Sequence, residues 1–571
     1  MKAPETAQGD FRFRPAWLWL VPAVLLAAAT TLDAGLRVQC FLYLPFYLLS
    51  LLLAAVIWLL VQGARQENFQ PGPWIRRHGP ALAACLLFAA VLFIAVPPYY
   101  RVLSDETNML SVSRSLTFQR STHNIIQAKW THLNERPFEF IYEKRPFLYP
   151  WLVSLAHRFL GFRAENAFVV NGLALGGLFF LIFFRLRKNF SPVIAAAGVL
   201  LAAAQPVLTQ TAASAGIDMT YVLFLSASLL ALEAFLKHES ATRFGLLWGC
   251  LLLLANTRYE GPLYLLVVMA ALVVLGKVRR EYFSQSFIYP MTPLLLLPTW
   301  WQRVFMRTDL QIPEGEKAFA LKYFFQNNGI FLKTLFSFEY FLPHANLVDL
   351  LGVAGLIWMA FQLARRRWPA QTAQRQTALV FTAVIFLYWV VMTAHYGTFW
   401  TDPSGCRVMS FGALVLSLAA LLFLTKLPWP GSRGDAVLAL TAVFFFLYHP
   451  VAIKNYFSNG MVLTREYRYV LEFLKTRNPV NALIITNVPG HYTALGRGGI
   501  KFTYANTNRD HLLQQYHQHL FGEVLVVQEV DAVTGAVTED TVLDPAFQLE
   551  PLFELDHKMG RFVRISRVVN P

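Results

Sequence analysis

Long apolar runs, separated by short polar connections, make up most of the chain up to residue 452. Runs of roughly 15 to 22 residues are typical of helices that cross a membrane. Thirteen spans are predicted, at 17–32, 41–62, 81–97, 167–184, 192–211, 218–236, 244–256, 262–276, 287–301, 346–363, 377–394, 408–425 and 436–452. The short pair on either side of NTRYEGP also fits a broken or re-entrant segment buried inside the bundle.

The composition supports this interpretation. Hydrophobic residues are 56% of the 571 residues, and charged residues are only 15%. Such a chain is predicted to be a polytopic α-helical membrane protein. The four cysteines, Cys40, Cys85, Cys250 and Cys406, have no CxxC or His-rich spacing and are typical of packing thiols, with a Cys40–Cys406 disulfide as the alternative. No motif requires a cofactor, and a divalent metal is compatible with the sequence but not indicated by it.

The distribution of Lys and Arg among the short connections predicts the orientation. The N-terminus and the connections 63–80, 185–191, 237–243, 277–286, 364–376 and 426–435 together contain 20 of these residues, whereas 33–40, 212–217, 257–261 and 395–407 contain 3. By the positive-inside rule the N-terminus is cytoplasmic, and an odd number of spans places the C-terminus outside. Most of the net charge of +15 then serves orientation, so no nucleic-acid partner is needed to explain it.

The compartment is predicted from one glycosylation motif. The single Asn-x-Ser/Thr match, NFS at Asn189, falls on the cytoplasmic side, which favours a bacterial inner membrane over the endoplasmic reticulum. A cleaved signal peptide is the alternative for the first span, although Glu5 and Asp10 are unusual in the n-region of such a peptide.

Three parts are predicted along the chain. Residues 1–80 form a cytoplasmic N-terminus and two extra spans, and residues 81–452 form a membrane module with long outer loops at 98–166 and 302–345. Residues 453–571 alternate helix-like and strand-like segments, such as YRYVLEFLKTR and NALIIT, which predicts an extracytoplasmic α/β domain.

Each outer loop has a helical signal of its own. LYPWLVSLAHRFLGF in the first loop has Trp151 and Phe159 near one helical face, with Ser154 and His157 off it, the pattern of a helix in the membrane interface. The second loop, rich in Phe and Tyr, is predicted to be a partly helical lid or wall.

Two adjacent carboxylates, Asp105 and Glu106 in RVLSDETNML, directly follow an apolar run. Side chains at neighbouring helical positions point roughly 100° apart, so the two acids should face different partners. Proximity to hydrocarbon is expected to raise the carboxylate pKa, as a general base requires. A structural alternative is that Ser104 caps a helix whose first turn favours acidic residues.

Cations on the same side of the membrane complete a candidate site. Lys144, Arg145 and Arg258 suit a phosphate at headgroup height, although the first two also fit snorkelling anchors. Ionisable groups close to membrane depth are usually functional, or they pair with one another. Further pocket candidates of this kind are Asp218, Glu260, His395, Tyr396 and Arg407.

The order of these motifs resembles a known family. An acidic pair beyond a span, then KRPFLYPWLVSLAHRFLGF, then ENAFVVNGLALGGLFFLIFFRLRK, is similar to the membrane glycosyltransferases of the GT-C class, which include the protein O-mannosyltransferases and the bacterial lipid A aminoarabinose transferases. The resemblance covers roughly residues 81–280, and TRYEG is also typical of bacterial relatives. In this chain RPF replaces the commoner Pro-Pro-Leu, and two additional spans precede the family module.

The resemblance implies a substrate and roles for the residues. The donor would be a sugar on a polyprenyl phosphate, and the acceptor a hydroxyl of a lipid, glycan or protein on the extracytoplasmic face. Asp105 would be the base, Glu106 would contact the acceptor, and Lys144 and Arg145 would lie near the lipid phosphate. Transfer would invert the anomeric centre.

Three other functions fit parts of the sequence. A transporter or flippase of a lipid-linked or anionic solute would show internal repeats and charges near the bilayer midplane, and neither is evident. A glycan polymerase or ligase with pyrophosphate-linked donors would leave the acidic pair unexplained. In a membrane-anchored scaffold, the α/β domain would bind polysaccharide and the helical bundle would serve only as the anchor.

Overall fold

The computed structural model describes residues 33–569 except 132–133, 284–285, 300–316, 338–342, 366–371, 398–399, 402, 430, 455–461, 478–481 and 558–559, and a few positions before residue 33. In chain order the helices are α1 (Ala34–Gln66), α2 (Pro71–Ala95), α3 (Leu103–Phe118), α4 (Leu148–Leu160), α5 (Glu165–Arg187), α6 (Pro192–Ala203), α7 (Pro206–Ala212), α8 (Asp218–Lys237), α9 (Ala241–Ala255), α10 (Gly261–Val274), α11 (Arg280–Phe283), α12 (Thr292–Leu295), α13 (Leu321–Leu335), α14 (Asn346–Ala364), α15 (Thr372–Thr393), α16 (Pro403–Cys406), α17 (Ser410–Leu424), α18 (Arg433–Ile453), α19 (Val462–Lys475), α20 (Gly490–Thr493), α21 (Phe502–Thr507) and α22 (Arg509–His517). The strands are β1 (His123–Thr131), β2 (Asn134–Tyr142), β3 (Ala482–Ile485), β4 (Gly498–Ile500), β5 (Glu523–Asp531), β6 (Leu549–His557) and β7 (Arg561–Val568).

Among the described residues, eight helices are long and apolar enough to span a membrane, or nine if the bent pair α6 and α7 is one span. The two segments around NTRYEGP form separate shorter apolar helices, α9 and α10. The first predicted span, 17–32, lies outside the described residues apart from isolated positions. Within 287–301 the described helical residues are those of α12 and residues 297–299. An integral membrane protein is therefore indicated, whereas the count of thirteen spans is not confirmed.

The predicted continuous span 192–211 is broken. Its two halves, α6 and α7, meet at an angle of 76°. The break falls at Pro206, which has no amide hydrogen for a continuous helix. Residues 201–210 around the break are all buried in the protein, which is where unpaired backbone groups of a membrane protein must lie. There the side chain of Gln205 donates to Asp349 (2.7 Å) and accepts from the amide of Ala345 (3.2 Å).

One seven-stranded sheet joins the first outer loop to the C-terminal region. Its strand order is β2-β1-β4-β3-β5-β7-β6, with β3 parallel to β4 and β5 and the remaining pairs antiparallel. Strands β1 and β2 form a hairpin, which meets the C-terminal strands where Ala128 pairs with Gly499. The predicted strands NALIIT and EVLVVQEV correspond to β3 and β5, so the C-terminal α/β character is confirmed.

The polar side chains of helix α4, which were expected to lie at the membrane interface, face the interior of the protein. Ser154 and His157 are buried, whereas Phe159 is 84% exposed. The His157 ring accepts from the Asn166 side-chain amide (2.9 Å) and lies 3.1 Å from the Ser113 hydroxyl of α3. The interfacial arrangement inferred from the sequence is therefore wrong for the polar face, because these polar groups find partners inside the protein.

Candidate active site

The acidic pair lies in the first turn of α3, which begins at Leu103. Val102 is the N-cap residue and no side chain caps the helix from that position, so the predicted cap by Ser104 is not formed. The carboxylate of Glu106 reaches back instead. It accepts from the amides of Arg101 and Val102 (3.1 Å each), and it also accepts from the amide of Ala215 (3.2 Å) in the connection between α7 and α8.

Asp105 points away from these amides, towards two arginines. One carboxylate oxygen accepts from Arg145, and the other accepts from Arg407 at 2.5 Å. Burial alone would raise the pKa of the Asp105 carboxyl, but Arg145 and Arg407 outweigh it and lower the pKa to about 2. The expectation of a raised pKa is therefore wrong for Asp105, because the expected hydrocarbon effect is smaller than that of the two cations.

Arg145 is oriented by a second acid, Glu143. Its Nη1 donates to Glu143 Oε1 at 2.8 Å, and its own amide donates to the same oxygen at 3.1 Å. Glu143 is only 1% exposed and accepts from the side-chain amide of Asn124 at the start of β1 (3.3 Å). The β1–β2 hairpin thus delivers Glu143 and Arg145 to Asp105.

Arg407 connects Asp105 to the remaining charged candidates. It precedes α17, and its Nη1 lies 3.6 Å from Asp218 at the start of α8. Asp218 also accepts from Arg258, whose Nε donates to Glu260 at 2.6 Å. The Arg258 guanidinium lies 5.4 Å from the centre of the Tyr221 ring, a cation–π distance.

Together these groups form a chain of alternating charge, which we call the acid–arginine network. Its members in order are Glu143, Arg145, Asp105, Arg407, Asp218, Arg258 and Glu260. Among its acids Asp105 is the most accessible: its side chain is 21% exposed, whereas Glu143, Asp218 and Glu260 are 1%, 4% and 9% exposed. Five segments that are distant in sequence therefore meet in this network, and two of them contact Asp105 directly.

Lys144 lies beside the network without joining it. It is half-buried, and its charge helps to lower the pKa of Asp105. It makes no ion pair or hydrogen bond within the part of the chain that the structure describes. The network proper has four acids and three arginines, so Lys144 balances its formal charge.

His395 and Tyr396 lie at the edge of this region. Residues 318–320 pair with 394–396, which places α13 of the second outer loop against the end of α15. The His395 Nδ1 accepts from the amide of Gly397 (3.1 Å), so its neutral ring carries the proton on Nε2. Burial lowers the pKa of His395, and the nearby charge of Arg258 lowers it further.

Two residues of the site were missed from the sequence. Glu143 is adjacent to the predicted cations, but a charge at a hairpin end is typical of a solvated surface. Tyr259, within the TRYEG motif, lies close enough to Arg145, Glu143 and Asp105 for their charges to act on its hydroxyl, whose pKa burial raises. Among the described residues, no group of three or more His, Cys, Asp or Glu side chains could hold a metal ion.

Comparisons with known proteins agree with this architecture. A family model described as dolichyl-phosphate-mannose-protein mannosyltransferase matches residues 144–301. The crystal structure of ArnT from Cupriavidus metallidurans bound to undecaprenyl phosphate is similar with a TM-score of 0.53 and 13% identity, over 87% of this chain and 98% of that chain. The apo state of that protein is similar with a TM-score of 0.51 and 12% identity, over 85% and 98%. No curated protein sequence matches.

The predicted fold class and the resemblance to the GT-C class of membrane glycosyltransferases are confirmed by these similarities. The family match begins at Lys144, so it includes Arg145, Asp218, Arg258 and Glu260 but neither Asp105 nor Arg407.

Proposed function

We propose that this chain, a membrane protein with the fold of the GT-C glycosyltransferases, moves a monosaccharide from a polyprenyl-phosphate carrier to an acceptor hydroxyl, with inversion at the anomeric carbon. In this proposal the reaction takes place on the extracytoplasmic face of a bacterial inner membrane, the side that the asymmetry of Lys and Arg predicts for α3 and the C-terminal domain. The neighbouring ArnT structure contains undecaprenyl phosphate, which supports a carrier of this class.

One observation carries the proposal. Asp105, the most accessible acid of the acid–arginine network, lies near Lys144, a cation that has no ion-pair or hydrogen-bond partner among the described residues. Asp105 is ionised and oriented on both oxygens, as a proton acceptor should be. Lys144 follows Glu143 and precedes Arg145, so its charge lies on the same segment as a guanidinium that contacts Asp105. An acid beside a cation cluster suits a reaction in which a hydroxyl loses a proton while a phosphate departs.

The lowered pKa of Asp105 fits this reaction if the phosphate competes for the cations. In the substrate-free arrangement Arg145 and Arg407 make the carboxylate a weak base. A donor phosphate that contacts Lys144 and Arg145 would draw positive charge away from Asp105 and raise its pKa. Donor binding itself would then prepare the base, which limits proton abstraction to the loaded enzyme.

The chemical step can be written with all atoms accounted for. The acceptor oxygen attacks the anomeric carbon from the side opposite the phosphate and forms the new glycosidic bond. The bond from that carbon to the phosphate oxygen breaks, its electron pair remains on the polyprenyl phosphate, and the acceptor proton moves to Asp105. Lys144 and Arg145 neutralise the charge that develops on the departing oxygen.

The other predicted site residues take supporting roles in this proposal. Glu106 is enclosed by three backbone amides, so we assign it to positioning α3 rather than to acceptor contact. Arg258 already pairs with Asp218 and Glu260, and we assign it to orienting Asp218 and hence Arg407. His395 and Tyr396 remain candidates for contact with the sugar.

The test is incubation of the purified chain with labelled polyprenyl-phosphoryl sugars and separation of the lipid products. Release of free polyprenyl phosphate that depends on an acceptor, with transfer of the label, supports the proposal. Binding of the donor without its breakdown would contradict it and favour a carrier or flippase of lipid-linked solutes.

A further inference from the structure

One face of α3 is polar and yet buried. Thr107, Ser111 and Arg114 recur at spacings of four and three residues, so they lie along one side of the helix. Their exposures are 0%, 1% and 8%. Buried polar groups are costly unless they find hydrogen-bond partners, so this face requires a matching polar surface.

That surface comes from the short helix α20 of the C-terminal domain and from strand β1 of the first outer loop. Thr107 Oγ1 lies 2.7 Å from Nδ1 of His491, and Arg114 Nη1 donates to the carbonyl of Thr493 at 3.2 Å. The Thr493 hydroxyl donates to the carbonyl of Ile125 (2.8 Å). The Ile125 amide in turn donates to the Ser111 hydroxyl (2.9 Å).

The hydrogen-bond geometry assigns the direction of the His491 contact. The Thr107 hydroxyl has one hydrogen and lies 2.7 Å from the carbonyl of Leu103, to which it donates as part of α3. The Nδ1 atom of His491 is then the donor to Thr107. Burial lowers the pKa of His491 to about 4, so the ring is neutral near pH 7 and has one N–H for this bond.

Apolar packing connects the same two parts of the chain. Leu103, Met109 and Leu110 of α3 share a buried cluster with Tyr467, Ile484 and Leu525 of the C-terminal domain. Tyr467 also donates its hydroxyl to the carbonyl of His491 at 2.6 Å. Helix α3 therefore packs into the C-terminal domain on the side that carries Thr107.

We propose that the C-terminal domain positions the catalytic helix, with His491 as a positioning residue that acts through Thr107 on Asp105. Thr107 lies two positions after Asp105, so a rotation or shift of the first turn of α3 would move the carboxylate relative to Arg145 and Arg407. A displacement of about 1 Å at a reacting group can cost roughly 10²-fold in rate. The inference rests on the proposed function, in which Asp105 is the base.

The experiment uses the full chain, four variants of the His491–Thr107 contact and one matched control. His491→Leu removes the bond, whereas His491→Asn keeps a donor near the position of Nδ1. Thr107→Val removes the hydroxyl of the partner, and the double variant His491→Leu/Thr107→Val completes a cycle. His511→Leu is the matched control, because His511 is an exposed histidine of the same domain.

We expect His491→Leu to lower kcat by about 10²-fold and to change KM for the donor by less than about 3-fold, because Lys144 is untouched. His491→Asn should recover most of kcat, and His511→Leu should match the wild type. The double variant should lose no more than the larger single loss, since both changes break one contact. A wild-type kcat in His491→Leu, or multiplicative losses in the double variant, would overturn the proposal.

A second readout does not depend on turnover. Amide hydrogen exchange in the first two turns of α3 should be at least about 10-fold faster in His491→Leu than in the wild type and the His511→Leu control. Unchanged exchange would also overturn the positioning role. Including Asp105→Asn separates the two proposals: turnover by the wild type that is lost in this variant supports the function whatever the His491 variants do.

Discussion

Arg407 is the residue whose replacement tests the acid–arginine network most severely. Its guanidinium contacts Asp105 at 2.5 Å and Asp218 at 3.6 Å, so it links the proposed base to the rest of the network. Arg407→Gln removes the charge, whereas Arg407→Lys keeps a charge but replaces the planar fork with one ammonium group. Because one ammonium cannot match two carboxylates in the same geometry, the Lys variant should be intermediate.

The expected stability loss follows from the burial of the pair. Removing one partner of a fully buried ion pair costs roughly 3–5 kcal/mol, and a hydrogen bond to a charged group contributes roughly 1.5–3 kcal/mol. The side chains of Arg407 and Asp105 are 20% and 21% exposed, so water compensates part of the loss. We therefore expect Arg407→Gln to lower the free energy of unfolding by about 2–3 kcal/mol.

A loss of activity should accompany the loss of stability. Without Arg407 the carboxylate of Asp105 keeps only Arg145 and can turn away from the acceptor, so kcat should fall about 10²-fold. The pKa of Asp105 should rise, because Arg407 is one of the two main cations that lower it. The acidic limb of the kcat/KM profile should therefore move to higher pH.

The measurements are thermal or denaturant unfolding in detergent and release of polyprenyl phosphate at several pH values. Arg509→Gln is the matched control, because Arg509 also pairs with two carboxylates, Asp544 at 2.7 Å and Asp510 at 3.3 Å, but on the exposed surface of the C-terminal domain. It should leave stability and turnover unchanged. If Arg407→Gln behaves like this control, or the acidic limb stays in place, the network does not set the state of Asp105.

Three further predictions concern the groups around the network. Lys144→Gln should raise KM for the donor about 10-fold, and its effect on stability should be smaller because Lys144 has no ion-pair or hydrogen-bond partner among the described residues. The control Lys475→Gln, at an exposed lysine, should change neither KM nor stability. Equal KM values for the wild type and Lys144→Gln would remove Lys144 from donor binding. Glu143→Gln should lower kcat by about 10-fold or more, because Arg145 loses the carboxylate that orients it. The measurement is product release at saturating donor, and an unchanged kcat would count against the orienting role of Glu143. Burial lowers the pKa of His157 from 6.5 to about 4, so in this pH window the unfolded chain binds a proton at this residue that the folded chain does not. This residue should lower the stability by up to roughly 3 kcal/mol as the pH drops from 6.5 to 4. In unfolding curves His157→Gln should therefore show a weaker pH dependence than the wild type, and an unchanged dependence would contradict the prediction.

The parts of the site that follow from local sequence were predicted, because burial in a membrane is an expensive environment for charge. An ionisable residue at the end of an apolar run is visible in the sequence, which identified Asp105, Asp218 and Arg407 as candidates. The structure brings all three into contact. The sequence could not indicate which acid pairs with which arginine, because these residues are far apart along the chain.

The remainder depends on long-range contacts that leave no local signal. Ala128 pairs with Gly499, and Thr107 contacts His491, across more than 350 positions, so the union of the first outer loop with the C-terminal domain was not foreseen. The roles within the acidic pair also depend on the tertiary structure. Glu106 accepts from backbone amides in the connections before α3 and between α7 and α8, whereas Asp105 accepts from arginines. The local sequence SDET is compatible with either residue in either role.

The most direct measurement of the central claim is the turnover of Asp105→Asn with a labelled polyprenyl-phosphoryl sugar and its acceptor. The amide keeps the size and most hydrogen-bonding capacity of the carboxylate, but it cannot take up the acceptor proton. We predict a variant that folds, binds the donor and loses about 10²–10⁴ in rate, as is typical when a general base is removed. Near-normal release of polyprenyl phosphate by this variant would contradict the account.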